Sequence, residues 1–480
     1  MPDTLNSHTP AAELSAYVEA LLGAQAGAFM ASGLEPPAIR LNTLKISRDA
    51  CLEKLHAWRI SCVPHPLNPD GWILEEDRLP LSHTLAFFRG EFFYQGVSSQ
   101  LPVIALAPRP GETVLDMCAA PGSKSNQIAA AMANSGRLWV NDASTRRLQA
   151  LMANLTAAGV RNEVVTALPG QLFGRLLPEY FDRVLVDAPC SALGNWPKRI
   201  HKAHWSRAYL KKISYLQEQL LISAIKTVKT GGIIVYSTCS ICPEEDEAVI
   251  ARILARYPVE LEPLPFADAP FLRPGFPAYE QQAFPAALQR AGRVFPFPLP
   301  YEGFFVARLR KTAALPIRPV NEPLSFSPTL TAGDPEMMPI FENLRAHWGI
   351  EPAIFQDSRF LVNKHRLWMM DRAWLETPDR GFMMAGLPLA QRKSHAWRLL
   401  NASVQVLGAE VRKRHLQLEE EILLQLFAQG EIAAPQGPLA YHALMVGERP
   451  IAILSQADGR YKIHLPHHFH IDPETLTAER

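Results

Sequence analysis

Two cysteines stand directly after predicted strands, where a thiol could act as a nucleophile. Cys190 follows a strand predicted at 183–187, and Cys239 follows another predicted at 233–237. The carboxyl ends of parallel strands meet at one edge of a sheet, so we expect the two thiols to lie close together. Cysteine attacks substrates as the thiolate, which an exposed or polar position at a strand end allows to form. The spacing therefore predicts a site for covalent catalysis.

A metal centre is the other chemistry that cysteines and histidines could support here. A structural zinc site needs four ligands, and Cys239 with Cys242 supplies one pair without a second pair nearby. Four histidines stand near the end of the sequence: His464, His467, His468 and His470. Nothing in their spacing points to a functional metal, so we expect no metal cofactor.

A small-residue loop indicates a nucleotide-like cofactor. It follows a strand predicted at 113–118, contains the single glycine Gly122 and leads into a helix that begins near Ser123. Small residues let the backbone approach a ligand, and helix N-terminal amides favour an anionic group such as a carboxylate. Asp142 ends the next predicted strand, where doubly wound folds place the acid that binds ribose hydroxyls. Because the glycine-rich phosphate motif is absent, an adenosyl ligand without phosphates is favoured.

The elements that must position these residues form an alternating pattern of short apolar strands and longer helices. The predicted strands are 113–118, 137–142, 163–167, 183–187, 233–237 and 304–309, and the predicted helices are 123–133, 144–159, 209–229 and 244–257. Such alternation predicts an α/β fold with a parallel sheet covered by helices on both faces.

Length and composition set the broader limits. The chain has 480 residues, 48% of them hydrophobic and 20% charged, which predicts several globular domains. Lys and Arg number 48 against 47 Asp and Glu, so any contact with nucleic acid must come from local basic patches. No apolar run reaches the length of a membrane span and no basic residue precedes Arg40, so we expect a cytoplasmic protein without a signal peptide.

One local basic patch stands out between the two cysteines. From Lys198 to Lys229 the only acid is Glu218, and the aromatic residues in or just before this stretch are Trp196, Trp205, Tyr209 and Tyr215. Cations for phosphates beside aromatic faces for stacking suit unpaired RNA. The candidate RNA-binding residues are Lys198, Arg199, Lys202, Arg207, Lys211 and Lys212. A solvated helix face would produce part of the same pattern.

The motifs together resemble those of the Sun-type RNA cytosine-5 methyltransferases. The matching segments are 115–124, 187–191, 236–240, 244–247 and 303–307, within a similarity that covers about residues 10–310. The remaining tail is similar to that of family members that end in a PUA-like module. The resemblance implies a Rossmann-like class I methyltransferase core, an N-terminal accessory region, and a C-terminal α+β tail that ends in a PUA-like β module.

The resemblance also divides the chain into domains. They are an N-terminal accessory RNA-binding region (1–100), a methyltransferase domain (101–312), a Pro-rich linker (313–335), a small intermediate domain (336–395) and a PUA-like RNA-binding domain (396–480).

The chemistry that the resemblance implies is methyl transfer from S-adenosylmethionine to C5 of cytosine. Cys239 would attack C6 as the nucleophile, and Cys190 would assist release of the adduct. Asp187 would hold the polar edge of the flipped base, and Lys124 would lie between the cofactor and the base. The cofactor-binding residues would be Cys118, Ala119, Ala120, Pro121, Gly122, Ser123, Lys124, Asp142 and Asp187.

The substrate that the resemblance implies is 16S ribosomal RNA, within the 30S subunit, with cytidine 1407 (rRNA numbering) as the target. We expect no membrane partner and a monomeric protein.

Two alternatives remain at the level of sequence. One is a catalytically weak or inactive homologue that serves as an rRNA-binding assembly factor. It is suggested by Pro169, which stands where the family usually has an Asp that contacts the cofactor adenine. The other is a DNA cytosine-5 methyltransferase, in which the thiol after the proline would attack. That class carries a large DNA-recognition insertion, which this sequence lacks.

Overall fold

The computed structural model describes residues 10–75, 81–195, 205–316, 323–363, 365–393 and 396–463. The histidines at 464, 467, 468 and 470 lie outside these ranges, as do the predicted RNA-binding residues Lys198, Arg199 and Lys202.

The N-terminal region forms a small sheet flanked by short helices. Its helices are α1 (Pro10–Leu22), α2 (Ala26–Met30), α3 (Arg48–Ala57) and α4 (Leu85–Phe88). Its strands are β1 (Ala38–Leu41), β2 (Cys62–Pro64), β3 (Gly71–Leu74) and β4 (Phe92–Tyr94), paired antiparallel in the order β2-β3-β1-β4.

The central region contains the predicted alternation of strands and helices. Its helices are α5 (Val97–Leu106), α6 (Ser123–Ala131), α7 (Thr145–Ala158), α8 (Phe173–Leu176), α9 (Arg207–Thr227) and α10 (Glu247–Leu254). Its strands are β5 (Thr113–Asp116), β6 (Arg137–Asn141), β7 (Glu163–Thr166), β8 (Phe181–Asp187), β9 (Val228–Thr238), β10 (Val259–Glu262), β11 (Arg273–Pro274), β12 (Ala278–Tyr279), β13 (Gln282–Ala283), β14 (Gly292–Val294) and β15 (Phe304–Lys311).

The main sheet is doubly wound, as the alternation predicts. Five strands run parallel in the order β7-β6-β5-β8-β9, and β15 joins β9 antiparallel. The chain leaves β5 toward β6 on one side and returns to β8 on the other. Doubly wound sheets bind ligands at such a reversal, outside the carboxyl ends of the strands. The predicted Rossmann-like, doubly wound α/β core is therefore confirmed.

One helix begins later than its sequence pattern predicts. The pattern predicts a helix over 244–257, whereas α10 begins at Glu247, because Asp246 has non-helical backbone angles (φ −112°, ψ −97°). The preceding acids form a turn whose side chains contact other segments.

The C-terminal region contributes two five-stranded sheets and one two-stranded sheet. Its helices are α11 (Met338–Trp348), α12 (Asn401–Leu407) and α13 (Glu420–Gln429). Its strands are β16 (Phe326–Pro328), β17 (Leu330–Thr331), β18 (Ser358–Asn363), β19 (Arg366–Asp371), β20 (Glu376–Pro378), β21 (Phe382–Ala385), β22 (Leu387–Lys393), β23 (Ala396–Leu399), β24 (His415–Gln417), β25 (Glu431–Ala433), β26 (Ala440–Val446), β27 (Arg449–Ala457) and β28 (Arg460–Ile463). The five-stranded sheets have the orders β17-β18-β19-β22-β23 and β24-β26-β27-β28-β25.

Strand pairing links the predicted domains to one another. β23 pairs with β22, so one sheet runs across the boundary predicted at 395/396. β21 leaves the tail and pairs antiparallel with β7 of the main sheet. Trp374, which precedes β21 in the sequence, packs in the same core. Its ring centroid lies 6.0 Å from that of Trp139, and its Nε1 donates to the Asn162 carbonyl at 2.8 Å. The main sheet and the C-terminal region therefore share a hydrophobic core.

Within the described ranges, none of the helices is both long and apolar enough to cross a membrane.

Candidate functional site

The predicted site residues meet at the carboxyl edge of the main sheet. Asp187 is the last residue of β8, and Cys239 comes immediately after β9. The loop between β5 and α6 and the residue after β6, Asp142, lie at the same edge. They line a cleft of about 840 Å³.

The two thiols lie in contact in this cleft. Cys190 Sγ and Cys239 Sγ are 3.3 Å apart, and both side chains are partly buried. The hydrogen bond with Cys239, together with burial, holds the pKa of the Cys190 thiol well above its ordinary value. Cys190 therefore keeps its proton and can donate a hydrogen bond to the sulfur of Cys239.

An ion pair stands beside the thiols. Lys124 Nζ lies 2.7 Å from Asp187 Oδ2 and donates to Ser99 Oγ at 3.1 Å. Ser237 Oγ donates to the other Asp187 oxygen at 2.7 Å, which fixes the carboxylate. Burial lowers the pKa of Lys124, but the adjacent Asp187 carboxylate outweighs it and holds that pKa above its usual range. The site thus presents a fixed carboxylate and a charged ammonium side by side.

The small-residue loop is held by the acid predicted to bind ribose. Asp142 Oδ2 accepts from the Ala120 amide at 3.1 Å, and Oδ1 accepts from the Ser144 amide at 2.9 Å. Gly122 has φ +106°, and a Cβ there would lie 2.7 Å from Leu151 Cδ1, so glycine is required at this turn. Arg147 Nη1 also lies 3.5 Å from Asp142 Oδ2, so a ribose bound by this carboxylate would share it with the arginine.

The strand below this loop ends in a second buried acid. Asp116 Oδ2 accepts from Ser125 Oγ at 2.7 Å, which ties the strand end to the first turn of α6. Burial raises the pKa of Asp116 to about 7. Its Oδ1 is buried and has no hydrogen-bond partner in the described part of the chain.

The lining of the cleft suits an adenosyl group. Its wall combines the acid Asp142 with apolar surface from Pro169, Leu216 and Leu220. Of the predicted cofactor residues, these line it: Cys118, Ala120, Pro121, Ser123, Lys124, Asp142 and Asp187. Ala119 and Gly122 instead shape the turn, since the Gly122 amide donates to the Ala119 carbonyl at 2.8 Å.

Part of the cleft wall comes from residues that have no predicted role in the site. The N-terminal region supplies Phe93 and Tyr94, and the start of β15 supplies Phe304, whose ring lies 5.6 Å from Lys124 Nζ. Aromatic faces beside a thiol pair suit a planar base. The run of aromatic residues at 92–94 is the signal that could have indicated this wall.

The structure changes the interpretation of the basic stretch. Trp205 is buried, packing 4.9 Å from Tyr17, and is therefore not a stacking platform for RNA. Arg207 Nη1 lies 2.9 Å from Glu280 Oε1, so its charge is already paired. Lys211 and Lys212 are exposed on α9.

No group of three or more His, Cys, Asp or Glu side chains in the described ranges is arranged to hold a metal ion.

Comparisons with known proteins identify relatives along most of the chain. Residues 103–310 match the family described as 16S rRNA methyltransferase RsmB/F. Ribosomal RNA small subunit methyltransferase F of Pectobacterium carotovorum is 34% identical over 449 residues, which cover 89% of this chain and 88% of the relative. The protein of the same name from Escherichia fergusonii is 32% identical, with 92% and 91% covered.

Two solved structures from Pyrococcus horikoshii share the fold. A methyltransferase homologue is 33% identical with a TM-score of 0.54, over 61% of this chain and 93% of that one. NSun6, solved with SFG, is 23% identical with a TM-score of 0.53, over 63% of this chain and 98% of that one, and supports the fold alone. The chain therefore belongs to the 16S rRNA methyltransferase RsmB/F family, of Sun type, and is an S-adenosylmethionine-dependent rRNA methyltransferase.

Proposed function

We propose that this protein methylates C5 of a cytosine in 16S rRNA through a covalent bond between Cys239 and C6 of the base. The observation that carries the proposal is the contact of two thiols, 3.3 Å apart, beside the Lys124–Asp187 ion pair. The proposed target, from the resemblance to the small subunit methyltransferase F proteins, is cytidine 1407 within the 30S subunit. S-adenosylmethionine supplies an electrophilic methyl group when bound.

The residues divide the reaction into an addition and an elimination. The Cys239 thiolate adds to C6, which moves electron density to C5 and makes that carbon nucleophilic toward the methyl group. After methyl transfer a solvent water takes the C5 proton, the electrons of the C5–H bond re-form the C5–C6 double bond, and the Cys239 thiolate is expelled. Cys190, which keeps its proton, donates a hydrogen bond to the departing sulfur and so favours expulsion.

The ion pair serves the base rather than the sulfur. Asp187 Oδ1 and Oδ2 are held by Ser237 and Lys124, so the carboxylate is pre-oriented to accept from the cytosine amino group. Lys124, also bonded to Ser99, keeps a positive charge next to the ring as density builds on it. Asp142 would hold the ribose of the cofactor.

The regions outside the catalytic core supply RNA contacts in this proposal. Three parts of the chain would contact rRNA: the N-terminal region, the exposed Lys211 and Lys212 of α9, and the last sheet, β24-β26-β27-β28-β25, which we interpret as a PUA-like module. The protein would act as a monomer. We propose the same role for Lys198, Arg199, Lys202 and Arg207, the last of which would exchange its Glu280 partner for phosphate.

The two thiols make the proposal testable by one pair of variants. Purified protein is incubated with S-adenosylmethionine and 30S subunits or naked 16S rRNA from a strain that lacks the gene. Cys190→Ala should complete methyl transfer and accumulate protein bound to RNA, seen as a nuclease-sensitive band on a denaturing gel. Cys239→Ala should give neither the band nor methylcytosine by bisulfite sequencing.

Other results would contradict the proposal in distinct ways. An adduct from Cys239→Ala, with activity abolished in Cys190→Ala, would assign attack to Cys190, as in the DNA-type mechanism. Activity retained in both variants would make the thiols structural. If the unaltered protein binds rRNA but gives no methylcytosine, the second candidate, an assembly factor, replaces the enzyme. Pro169, at the cleft wall where the family has an acid, is the observation that favours that candidate.

A further inference from the structure

One buried carboxylate contacts the residues that follow both cysteines. Glu245 is fully buried, and its Oε2 accepts from Ser191 Oγ and Ser240 Oγ, each at 2.5 Å. Ser191 follows Cys190 in sequence, and Ser240 follows Cys239. The two thiol loops leave neighbouring parallel strands, β8 and β9, whose register ends at Asp187 and Ser237. Beyond the strands, the backbone joins the two segments through the Ala188 amide with the Ser237 carbonyl at 2.9 Å and the Gly194 amide with the Cys239 carbonyl at 3.0 Å.

The other carboxylate oxygen fastens the Cys190 loop a second time. Glu245 Oε1 accepts from the Ser191 amide at 2.8 Å and from Gln217 Nε2 at 3.1 Å. The same Gln217 nitrogen donates to the Pro189 carbonyl at 2.9 Å, so α9 is included in the network. Both residues that flank Cys190 are thereby held.

Hydrogen bonds also hold the Cys239 loop, beginning with the one from Ser240 to Glu245. Ser240 Oγ also accepts from the Cys242 amide at 3.1 Å, and the Cys239 carbonyl accepts from the Gly194 amide at 3.0 Å. Tyr236 Oη donates to the Glu245 carbonyl at 2.5 Å and fixes the backbone that carries the carboxylate. The carboxylate is thus a fixed point to which both loops are attached.

We infer that Glu245 is a positioning residue that holds the Cys190 and Cys239 loops in register, so that one thiol can assist expulsion of the other. This inference rests on the proposed function, because it concerns the approach of Cys190 to the sulfur that forms the adduct. Glu245 itself touches neither reacting sulfur in the contacts described. Its charge also favours a protonated Cys190, because a nearby negative charge disfavours a second one.

The test compares three variants in two backgrounds, and the two single serine variants in the native background. Glu245→Gln replaces an acceptor oxygen with an NH₂ group that faces donors, and Ser191→Ala with Ser240→Ala removes both hydroxyl contacts while the carboxylate stays. Glu244→Gln makes the same chemical change one residue away, where the carboxylate accepts from Tyr17 Oη at 2.6 Å and contacts neither serine. All variants are full-length and are checked by thermal unfolding and by calorimetric titration with S-adenosylmethionine.

In the native background we expect kcat to fall roughly 10- to 100-fold in Glu245→Gln and in the double serine variant, since an error of about 1 Å in a reacting group has effects of this size. The KM for S-adenosylmethionine should stay within about twofold, because Asp142 and its loop are untouched. Glu244→Gln should keep both constants. The two serine substitutions should be non-additive, because their hydroxyls bind one carboxylate.

The Cys190→Ala background separates this inference from the proposed function. In that background the rate of adduct formation reports attack by Cys239 alone, because release no longer depends on Cys190. Glu245→Gln should therefore slow adduct formation in the Cys190→Ala background less than it lowers kcat in the native background. If Cys190→Ala gives no adduct, the proposed function fails and the inference fails with it. If the adduct forms but Glu245→Gln and the double serine variant retain native kcat, the inference alone is overturned. Should Glu245→Gln not fold, the double serine variant decides by the same criteria.

Discussion

The removal of Arg293 should destabilise the catalytic domain far more than removal of an ordinary arginine. Its side chain is 1% exposed, and its guanidinium lies 3.0 Å from Asp246 Oδ2 and donates from Nε to Glu247 Oε1 at 2.6 Å. It also donates to the Ile241 carbonyl at 3.0 Å and lies 4.3 Å from the centroid of Phe276. Arg293→Met keeps most of the apolar stem and removes only the charge and its donors.

The expected magnitude follows from what the substitution leaves behind. Two carboxylates with fully buried side chains lose their counter-charge, and loss of one partner from a buried ion pair costs about 3–5 kcal/mol. For a domain of this size each kcal/mol lowers Tm by about 2–4 °C, so the shift should be roughly 6–20 °C. Arg310→Met is the matched control, because Arg310 pairs with Glu262 at 39% exposure and should cost less than about 1 kcal/mol.

The pH dependence identifies the cause of that loss. Burial raises the pKa of Asp246 well above its ordinary value, and Arg293 opposes the rise. Without the arginine the folded variant takes up a proton more readily than the unfolded chain, so its deficit should shrink as the pH falls and grow as it rises.

The assay is thermal unfolding between pH 5.5 and 8.5, with a triple variant, Arg293→Met with Asp246→Asn and Glu247→Gln, that removes the charges together. We expect the triple variant to regain part of the lost Tm at pH 8.5. A deficit that does not change with pH, or a triple variant less stable than Arg293→Met alone, would refute the argument from uncompensated charge and assign the loss to packing.

Three further outcomes are expected. Asp142→Ala should weaken S-adenosylmethionine binding by more than tenfold in calorimetric titration, since a hydrogen bond to a charged group contributes roughly 1.5–3 kcal/mol; unchanged affinity would show that Asp142 does not hold the ribose. Glu163→Gln should raise Tm by several degrees at pH 9 and hardly at all at pH 4. Burial raises the pKa of Glu163 to about 8, so the folded protein loses stability as the pH rises from the pKa of the unfolded chain toward that value. An equal change in Tm at both pH values would contradict this. Gly194→Ala should lower methylation and stability, because its Cβ would lie 2.0 Å from the Gly303 carbonyl oxygen, whereas Gly27→Ala, with nothing within 4 Å, should change neither.

Sequence patterning predicted the parallel sheet well because its strands are buried on both faces. Val114 and Leu115, like Val164 and Val165, are fully buried on opposite sides, which gives the continuous apolar runs of a covered strand. The order of those strands then brings Asp142, Asp187 and the two thiols to one edge by topology alone. The residue-by-residue roles assigned to them remain proposals.

The parts that sequence could not give depend on long-range contacts. Glu245 belongs to a run of four acids that resembles a solvated face, and only the fold shows which side chains surround it. Trp205 lies among cations in the sequence and so resembles a base-stacking aromatic, yet contact with Tyr17 of α1 buries it. β21 pairs with a strand more than 200 residues away, and no local pattern encodes such a partner.

The pairing of β21 with β7 determines where this chain can be truncated without exposing an edge of the main sheet. β7 would otherwise end the catalytic sheet with a row of unpaired backbone amides and carbonyls. A fragment that stops near residue 312 would keep the thiols, the cofactor cleft and five parallel strands, but it would lose β21 and the Trp374 indole that covers Trp139. In such a fragment the exposed edge of β7 can pair with a strand of a second copy. The tail therefore protects the catalytic sheet from self-association, whatever it contributes to RNA.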